Sequence, residues 1–409
     1  WEMEKELAER FVSLGVFRSA LEIYERLETW DEVISCYQML EKKDIAERMV
    51  REQLVLHPES PKLLCILGDL KTDPSYWEQA WTVSHERYAR AMRSLGGYHY
   101  RQGHYAESVT CYDRALKLNP LFENSWFMLG CAAIQAEEWA TAVRAFLRVI
   151  TLDDDNGEAW SNLASCYMKL DQKQDAFAAY RQAVRKCHES WRIWTNYLYM
   201  ALELGYYSEA ITALGRVVTL GFAKHGEQCL DLDALQSIIR AAIRGVTDAH
   251  GASVAIQANM IDRLLVDTIM TRVSNIPRVW RLAAEFWTWR GRYAQALDAH
   301  LKAYRCLVTN PAFDTSMDVF RDVVNEALDL VNAYRFLGPK PMGSSDAVVA
   351  KDWNYQARLI LRSLITRTKR IIENREMVGT SSGDDPELEE CRQLQEKLSE
   401  CLAELKQKK

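Results

Sequence analysis

Apolar residues recur in this chain at helical spacing, and the helices they predict recur in turn. Trp126, Trp160 and Trp194 stand 34 residues apart, and small and aromatic residues keep phase with them. A period of this length predicts a helix–turn–helix unit. Helix pairs that cannot bury an apolar face alone must stack into a solenoid. No stretch alternates apolar and polar residues between turn residues, so no sheet is predicted. The expected fold class is all-α: a right-handed superhelix of repeats, an α-solenoid, with extra C-terminal capping helices.

The best-formed unit runs from Ala89 to Phe122. With Ala89 as position 1, Leu95, Gly96, Gly103, Tyr105, Tyr112, Ala115 and Pro120 fall at positions 7, 8, 15, 17, 24, 27 and 32. The next unit, from Glu123, supplies Trp126, Leu129, Gly130, Ala142 and Phe146. The third, from Gly157, supplies Trp160, Leu163, Ala164, Tyr167, Ala176, Tyr180 and Ala183, and the fourth, from Trp191, supplies Trp194, Gly205, Tyr207 and Ala210. Small residues at positions 8 and 20 let the two helices of a pair, A and B, approach closely. Aromatics at positions 4 and 24 are expected to fill the gap between successive pairs. Pro120 falls where helix B must stop, since proline lacks an N–H and disfavours helix before it. This spacing resembles the tetratricopeptide repeat consensus.

Fainter units flank this centre. Gly15, Phe17, Ala20 and Tyr24 keep one phase upstream, Trp30, Tyr37, Ala46 and Pro58 another, and Leu67, Gly68 and Ala80 a shortened third. Downstream, Trp280, Trp287, Gly291, Tyr293, Ala296 and Ala303 rebuild a unit from Pro277, while Leu230–Asn275 reads as two helices without the consensus. Ser344, Ser345 and Asp346 are expected to open a helix running to Met377, and a last helix is expected over Pro386–Lys408. Leu337–Ser345 and Gly379–Asp385 are expected to be disordered. The expected organisation is divergent repeats over 1–88, regular repeats over 89–224, divergent helical repeats over 225–336, and C-terminal helices with flexible linkers over 337–409.

Composition narrows the picture little. Of 409 residues, 48% are hydrophobic, enough for a continuous core along a solenoid. The chain begins at Trp1 rather than Met, so preceding sequence is expected and no targeting signal can be judged. No apolar run approaches the ~20 residues of a membrane helix, so no membrane is expected. A net charge of −6 does not recruit nucleic acid by bulk attraction. The ten cysteines form no CxxC pair and lie in expected helices, which fits reduced structural thiols and a cytoplasmic or nuclear compartment.

Signs of catalysis are weak. His99 and His104 are five apart, unlike an HExxH pair, and the other histidines are scattered, so no metal is expected. Gly338 and Gly343 have the spacing of a phosphate loop, but Ser344 stands where lysine is needed. Asp153, Asp154 and Asp155 read better as a turn between repeats than as a metal site. No nucleophile–base arrangement appears; no cofactor is expected, and the chain is read as non-enzymatic.

The binding surface is expected on helix A, where positions 2, 5, 6, 9 and 13 should face a concave groove. These include Arg90, Arg93 and Arg101; Asn124, Phe127, Met128 and Cys131; Ser161, Asn162 and Lys169; Arg192, Thr195 and Asn196, with Tyr199 close by. The asparagines at position 6 could bond both N–H and C=O of an extended partner segment. Some tetratricopeptide proteins hold the C-terminal carboxylate of the 70- and 90-kDa heat-shock chaperones with a lysine–asparagine–asparagine–lysine–arginine clamp. Asn162 and Arg192 match its places, but Phe127, Cys131 and Asn196 do not.

Two C-terminal segments have their own patterns. Arg358, Arg362, Arg367, Lys369, Arg370 and Arg375 form a basic strip, read as a solvated face, with Leu361, Leu364 and Ile365 packing inward. Cys391, Leu394, Leu398, Cys401 and Leu405 recur by three and four, read as a solenoid cap rather than a coiled coil.

The run WEQAWTVSHERYARAMRSLGGYHYRQGHYAESVTCYDRALKLNP, with WFMLGCA, DDDNGEAWSNLASCYMKL and ESWRIWTNY after it, resembles the tetratricopeptide repeat protein 27 family over about residues 1–337. The resemblance implies a non-enzymatic eukaryotic scaffold linked, through the 90-kDa heat-shock system, to assembly of a spliceosomal ribonucleoprotein containing a GTPase; fungal members are linked to cell-wall integrity. The mismatched clamp leaves the chaperone link to run through a third protein. A second reading is an RNA-processing subunit, since Trp191, Trp194 and Tyr197 have the spacing of half-a-TPR repeats. A third is a catalytic protein whose repeats only recruit substrate.

Overall fold

A computed structural model describes residues 1–40, 42–342, 347–378 and 386–407. Twenty-one α-helices fill the described residues, with two isolated bridges, Thr247 with Ser253 and Pro341 with Val348, and no strand. The chain divides into two compact units, Trp1–His188 and Glu189–Lys409.

The first unit is six helix pairs: α1 (Glu2–Ser13) with α2 (Phe17–Arg26), α3 (Trp30–Met39) with α4 (Lys43–Leu56), α5 (Pro61–Lys71) with α6 (Pro74–Val83), α7 (Ala89–Gln102) with α8 (Tyr105–Leu118), α9 (Glu123–Gln135) with α10 (Trp139–Leu152), and α11 (Gly157–Lys169) with α12 (Lys173–Lys186). Three of these pairs are closed by the same kind of contact. In α7–α8 and α9–α10 the position-8 glycine of helix A lies under the position-24 aromatic of its own helix B, whereas α11 carries Ala164 at position 8. A Cβ on Gly130 would stand 2.6 Å from the Phe146 ring, and one on Gly96 would stand 3.0 Å from Tyr112. Gly68 meets Trp77 in the same way at 2.6 Å. The position-24 aromatic thus packs within its own pair as well as between pairs. Phe146 is fully buried among Leu129, Ala133 and Ala142 of its own pair and Ala159 and Leu163 of the next. Position 20 of the first regular unit is Ser108, whose buried hydroxyl donates to the Gly96 carbonyl at 2.9 Å.

Between pairs the position-4 tryptophan acts as a staple. Its indole N–H donates to the carbonyl six residues earlier, in the preceding turn: Trp126 to Pro120 at 2.9 Å and Trp160 to Asp154 at 3.1 Å. Within a pair, the turn between helices needs a left-handed residue at position 15. Gly103 supplies it, but Glu137 and Asp171 hold the same conformation, at φ 59° and 57°, against the steric preference of a side chain. Asp154 and Asp155 are held by the Lys186 ammonium at 2.7 and 2.8 Å, and the Asp153 carboxylate accepts from the Asp155 N–H, so this triplet is a tied turn.

The second unit holds α13 (Trp191–Leu204) with α14 (Tyr207–His225), α15 (Leu232–Arg244), α16 (Ala258–Arg263), α17 (Pro277–Trp289) with α18 (Tyr293–Val308), α19 (Met317–Leu337), α20 (Trp353–Val378) and α21 (Pro386–Gln407). Trp280 repeats the staple, donating to Ser274 at 2.8 Å. The seam of α21 is buried at Cys391, Leu394, Leu398 and Leu405, where α21 packs on α19 and α20. Arg321 of α19 clasps Glu390 of α21 through two bonds, at 2.7 and 3.1 Å.

The segment before α20 differs from expectation. The helix begins at Trp353 rather than Ser344. Backbone N–H groups of Val349 and Ala350 donate instead to the Lys340 and Gly338 carbonyls, and Met342 donates to Ala347. Those bonds fold the chain back on the end of α19, so residues 337–342, expected to be disordered, are ordered. Ser344–Asp346 and Gly379–Asp385 lie outside the described residues. The basic strip of α20 is also divided: Arg367 donates to the Val308 carbonyl and Asp314, and Arg375 to the Thr315 carbonyl, while Arg362 and Arg370 are exposed.

The Gly130–Phe146 contact gives a direct test. Alanine is favoured over glycine in a helix by up to ~1 kcal/mol, but its methyl would press on a buried ring that has nowhere to go. Gly130→Ala is expected to cost a net ~1–3 kcal/mol in urea melts, and much less in a Phe146→Leu background. Equal cost in both backgrounds would remove this contact from the account.

Candidate functional site

In each regular repeat, positions 2, 5, 9 and 13 of helix A fall on one stripe by helical spacing. On α7 those positions are Arg90, Arg93, Gly97 and Arg101, and all four line one cavity of about 460 Å³. Asp69 and Trp77 of the preceding pair and Tyr112 of α8 complete it. Gly97 leaves the wall bare beside Tyr112: a Cβ there would stand 3.3 Å from the Tyr112 hydroxyl.

The three guanidiniums are not equivalent. Arg90 is paired with Asp69 at 3.0 Å, and the other oxygen of Asp69 accepts from the Trp77 indole at 3.0 Å. Arg93 stacks over the Phe122 ring at 4.1 Å, and its buried Nε has no hydrogen-bond partner among the described residues. Arg101 has no ion pair among the described residues. Burial pushes the Tyr112 phenol up to about 12, against the pull of Arg101 and Arg93, so it stays a neutral hydroxyl. One acid therefore faces three permanent cations, and the cavity suits an anionic group.

The remaining positions of the first unit are less open. Phe127 sets its ring edge-on to Phe146, with centroids 5.7 Å apart, and Met128 is packed at the margin of the same core. Asn162 is half-buried and makes no side-chain hydrogen bond among the described residues, leaving both halves of its amide available. Lys169 is exposed, with its ammonium 5.8 Å from the Trp139 ring. In the second unit Arg192 is exposed, 5.7 Å over Trp191, and Asn196 is exposed without a side-chain bond among the described residues. Tyr199 is half-exposed, but its hydroxyl is committed to Asp231.

Asp69 and Tyr112 were not among the expected groove residues. The signal for Asp69 was present: the register that makes Gly68 position 8 makes Asp69 position 9, a groove position. The shortened third unit hid it.

Nothing in the chain's cysteines points to chemistry. All ten are free thiols, and burial pushes Cys65 and Cys166 up to about 12 and Cys111 and Cys131 up to about 11. Among the described residues no cluster of His, Cys, Asp and Glu could hold a metal ion, and no helix is long and apolar enough to cross a membrane.

Comparison with known proteins agrees with the register. Tetratricopeptide repeat models match residues 89–122 and 127–190. A TPR repeat-containing protein of Schizosaccharomyces pombe is 37% identical over 379 residues, covering 92% of this chain and 46% of that protein. Essential for maintenance of the cell wall protein 1 of Saccharomyces cerevisiae is 29% identical over 378 residues, covering 90% of this chain and 42% of that protein. The tetratricopeptide repeat protein 27 homolog of Dictyostelium discoideum is 32% identical over 305 residues, covering 75% and 35%. This chain spans less than half the length of each of these three relatives.

The α9 surface makes one expectation concrete. Phe127 is apolar, and the Cys131 thiol is held protonated, so neither supplies the charge-assisted bonds a terminal carboxylate needs. The tail peptide of the 90-kDa heat-shock chaperone is expected to give no saturable heat in calorimetry. A micromolar dissociation constant would contradict this.

Proposed function

We propose that this chain, which belongs to the tetratricopeptide repeat family, is a non-enzymatic scaffold that holds an extended segment of a protein partner along the helix-A faces of α7, α9 and α11. The observation that carries the reading is the Arg90–Arg93–Arg101 cavity. Two of its guanidiniums have no acid partner among the described residues, and it opens where a groove-bound segment would pass. An acidic side chain of the partner enters there. Further along, the Asn162 amide bonds the partner's backbone, and the exposed Lys169 adds a second cation.

The finer reading follows from the resemblance in sequence. The scaffold serves the assembly of a large complex, a spliceosomal ribonucleoprotein with a GTPase subunit, with an indirect link to the 90-kDa chaperone system. The name of the Saccharomyces relative places that protein in cell-wall maintenance, an outcome an assembly factor could reach through its clients. A cytoplasmic or nuclear compartment fits a chain of free thiols, several of them buried.

The test is a pull-down from cells expressing the tagged chain with Arg93→Ala and Asn162→Ala together. Both side chains lie outside the pair-closing contacts, so the fold should survive. Each lost bond is worth ~0.5–1.5 kcal/mol, more for one to a charged group. Partners held by the groove are expected to fall about tenfold or more. Retention of every partner at wild-type level would move the binding surface to another face.

A further inference from the structure

Helices α17, α18 and α19 of the second unit enclose a second cavity, of about 350 Å³. Its inner wall carries a carboxyl group that the fold leaves half satisfied. Glu326 of α19 is 2% exposed. One of its oxygens lies 3.4 Å from the Arg281 guanidinium of α17. The other is buried without a hydrogen-bond partner among the described residues. The Nδ1 of His300, on α18, is a second buried atom with no partner there. Native interiors rarely leave such groups unmet, because each forfeits the hydration it lost on burial.

The mouth of the cavity is acidic and amphipathic. Asp329, Asn332 and Phe336 line it from α19, and Asp322 and Asn325 continue the same exposed face beyond it. Neither Asp322 nor Asp329 has an ion pair among the described residues. Phe336 is 60% exposed, and the Lys340 ammonium lies 5.1 Å from its ring centroid, so the chain already places one cation against this aromatic wall.

We propose that this cavity receives a lysine or arginine side chain from a basic segment of a protein partner. The cationic head meets the free oxygen of Glu326, with Arg281 keeping the other. Asp329 and the Asn332 carbonyl take its remaining protons at the mouth, and the aliphatic stem lies along Phe336. The inference rests on the reading that the chain binds protein segments, but on a different unit and with the opposite charge preference from the Arg93 cavity.

Titration gives it a second handle. Burial pushes the Glu326 carboxyl up to about 7; Arg281 opposes this, while Asp329 and Asp322 add to it. Burial lowers the His300 imidazole, against Asp329. The Cys306 thiol on α18 is raised by burial and senses Glu326 as well. α20 and α21 place no residue in the cavity wall. A raised acid loses its charge as pH falls through its pKa, so cation binding should weaken as pH falls from 8 to 6.

The experiment uses the full chain and three fluorescein-labelled twelve-residue Gly/Ser peptides, carrying three lysines, three glutamates or neither, in low salt. The lysine peptide is expected to raise anisotropy saturably and at least tenfold more tightly than the other two. Glu326→Gln and Asp329→Asn should each weaken it about fivefold or more, as should pH 6. Asp329 is exposed, so its variant reports even if Glu326→Gln disturbs the fold. A charge-matched control, Glu59→Gln at an exposed site of the first unit, should leave binding unchanged. The proposal is overturned if the lysine peptide binds no better than the glutamate peptide. Equal weakening by the control, or full binding by Asp329→Asn, would also overturn it. The pull-down with the Arg93 and Asn162 variant reads the first groove alone, so the two readings fail separately.

Discussion

An absent side chain holds this architecture together. In α7–α8 and α9–α10 the backbone lies bare at position 8 of helix A, so that the aromatic at position 24 of helix B rests on it, and Ala164 keeps the same place small in α11. With Gly130 under Phe146 and Gly96 under Tyr112, the aromatic ring of helix B lies directly against the backbone of helix A. The closure of α9–α10 leaves an apolar edge that the next pair joins: Phe146 shares one buried cluster with Ala159 and Leu163 of α11. The indole bonds of Trp126 and Trp160 then fix how each turn meets the helix after it. Stacking is therefore set by a few short-range contacts repeated every 34 residues, as expected where stability sums over neighbours.

The same geometry makes the surface available for binding. One stripe of helix A is committed to the pair, and the opposite stripe is where polar and charged residues collect. On α7 it carries three arginines and a glycine, around a single aspartate. On α19 the exposed face carries aspartates, asparagines and an exposed phenylalanine. The two faces differ in sign. A chain with a net charge of only −6 thus carries separate surfaces of opposite sign.

The helical register was legible from the start because it depends on residues with few substitutes. A small residue at position 8 and tryptophan at position 4 have packing and bonding reasons, so Gly130, Trp126 and Trp160 could be read directly. Turns were less legible. Glu137 and Asp171 take the left-handed place that Gly103 marks, and nothing in their chemistry announces it. The start of α20 was misread because capping residues at 344–346 carry a helix signal, while the decisive bonds run from Val349 and Ala350 back to Lys340 and Gly338. The site was the least legible part. Arg90 and Arg93 were readable from helical phase, but their partners Asp69 and Phe122 come from neighbouring segments. The cavity around Glu326 had no sequence signal, because a lone glutamate in a helix gives no sign that it is buried.

The central claim is that partners lie on helix A of the first unit rather than on helix B. A photo-crosslinking amino acid placed at the exposed Asn124 on α9, and separately at the exposed Leu147 on α10, tests it directly in living cells. The account predicts that ultraviolet light yields partner adducts from position 124 and few or none from position 147. Adducts from 147 with none from 124 would contradict it.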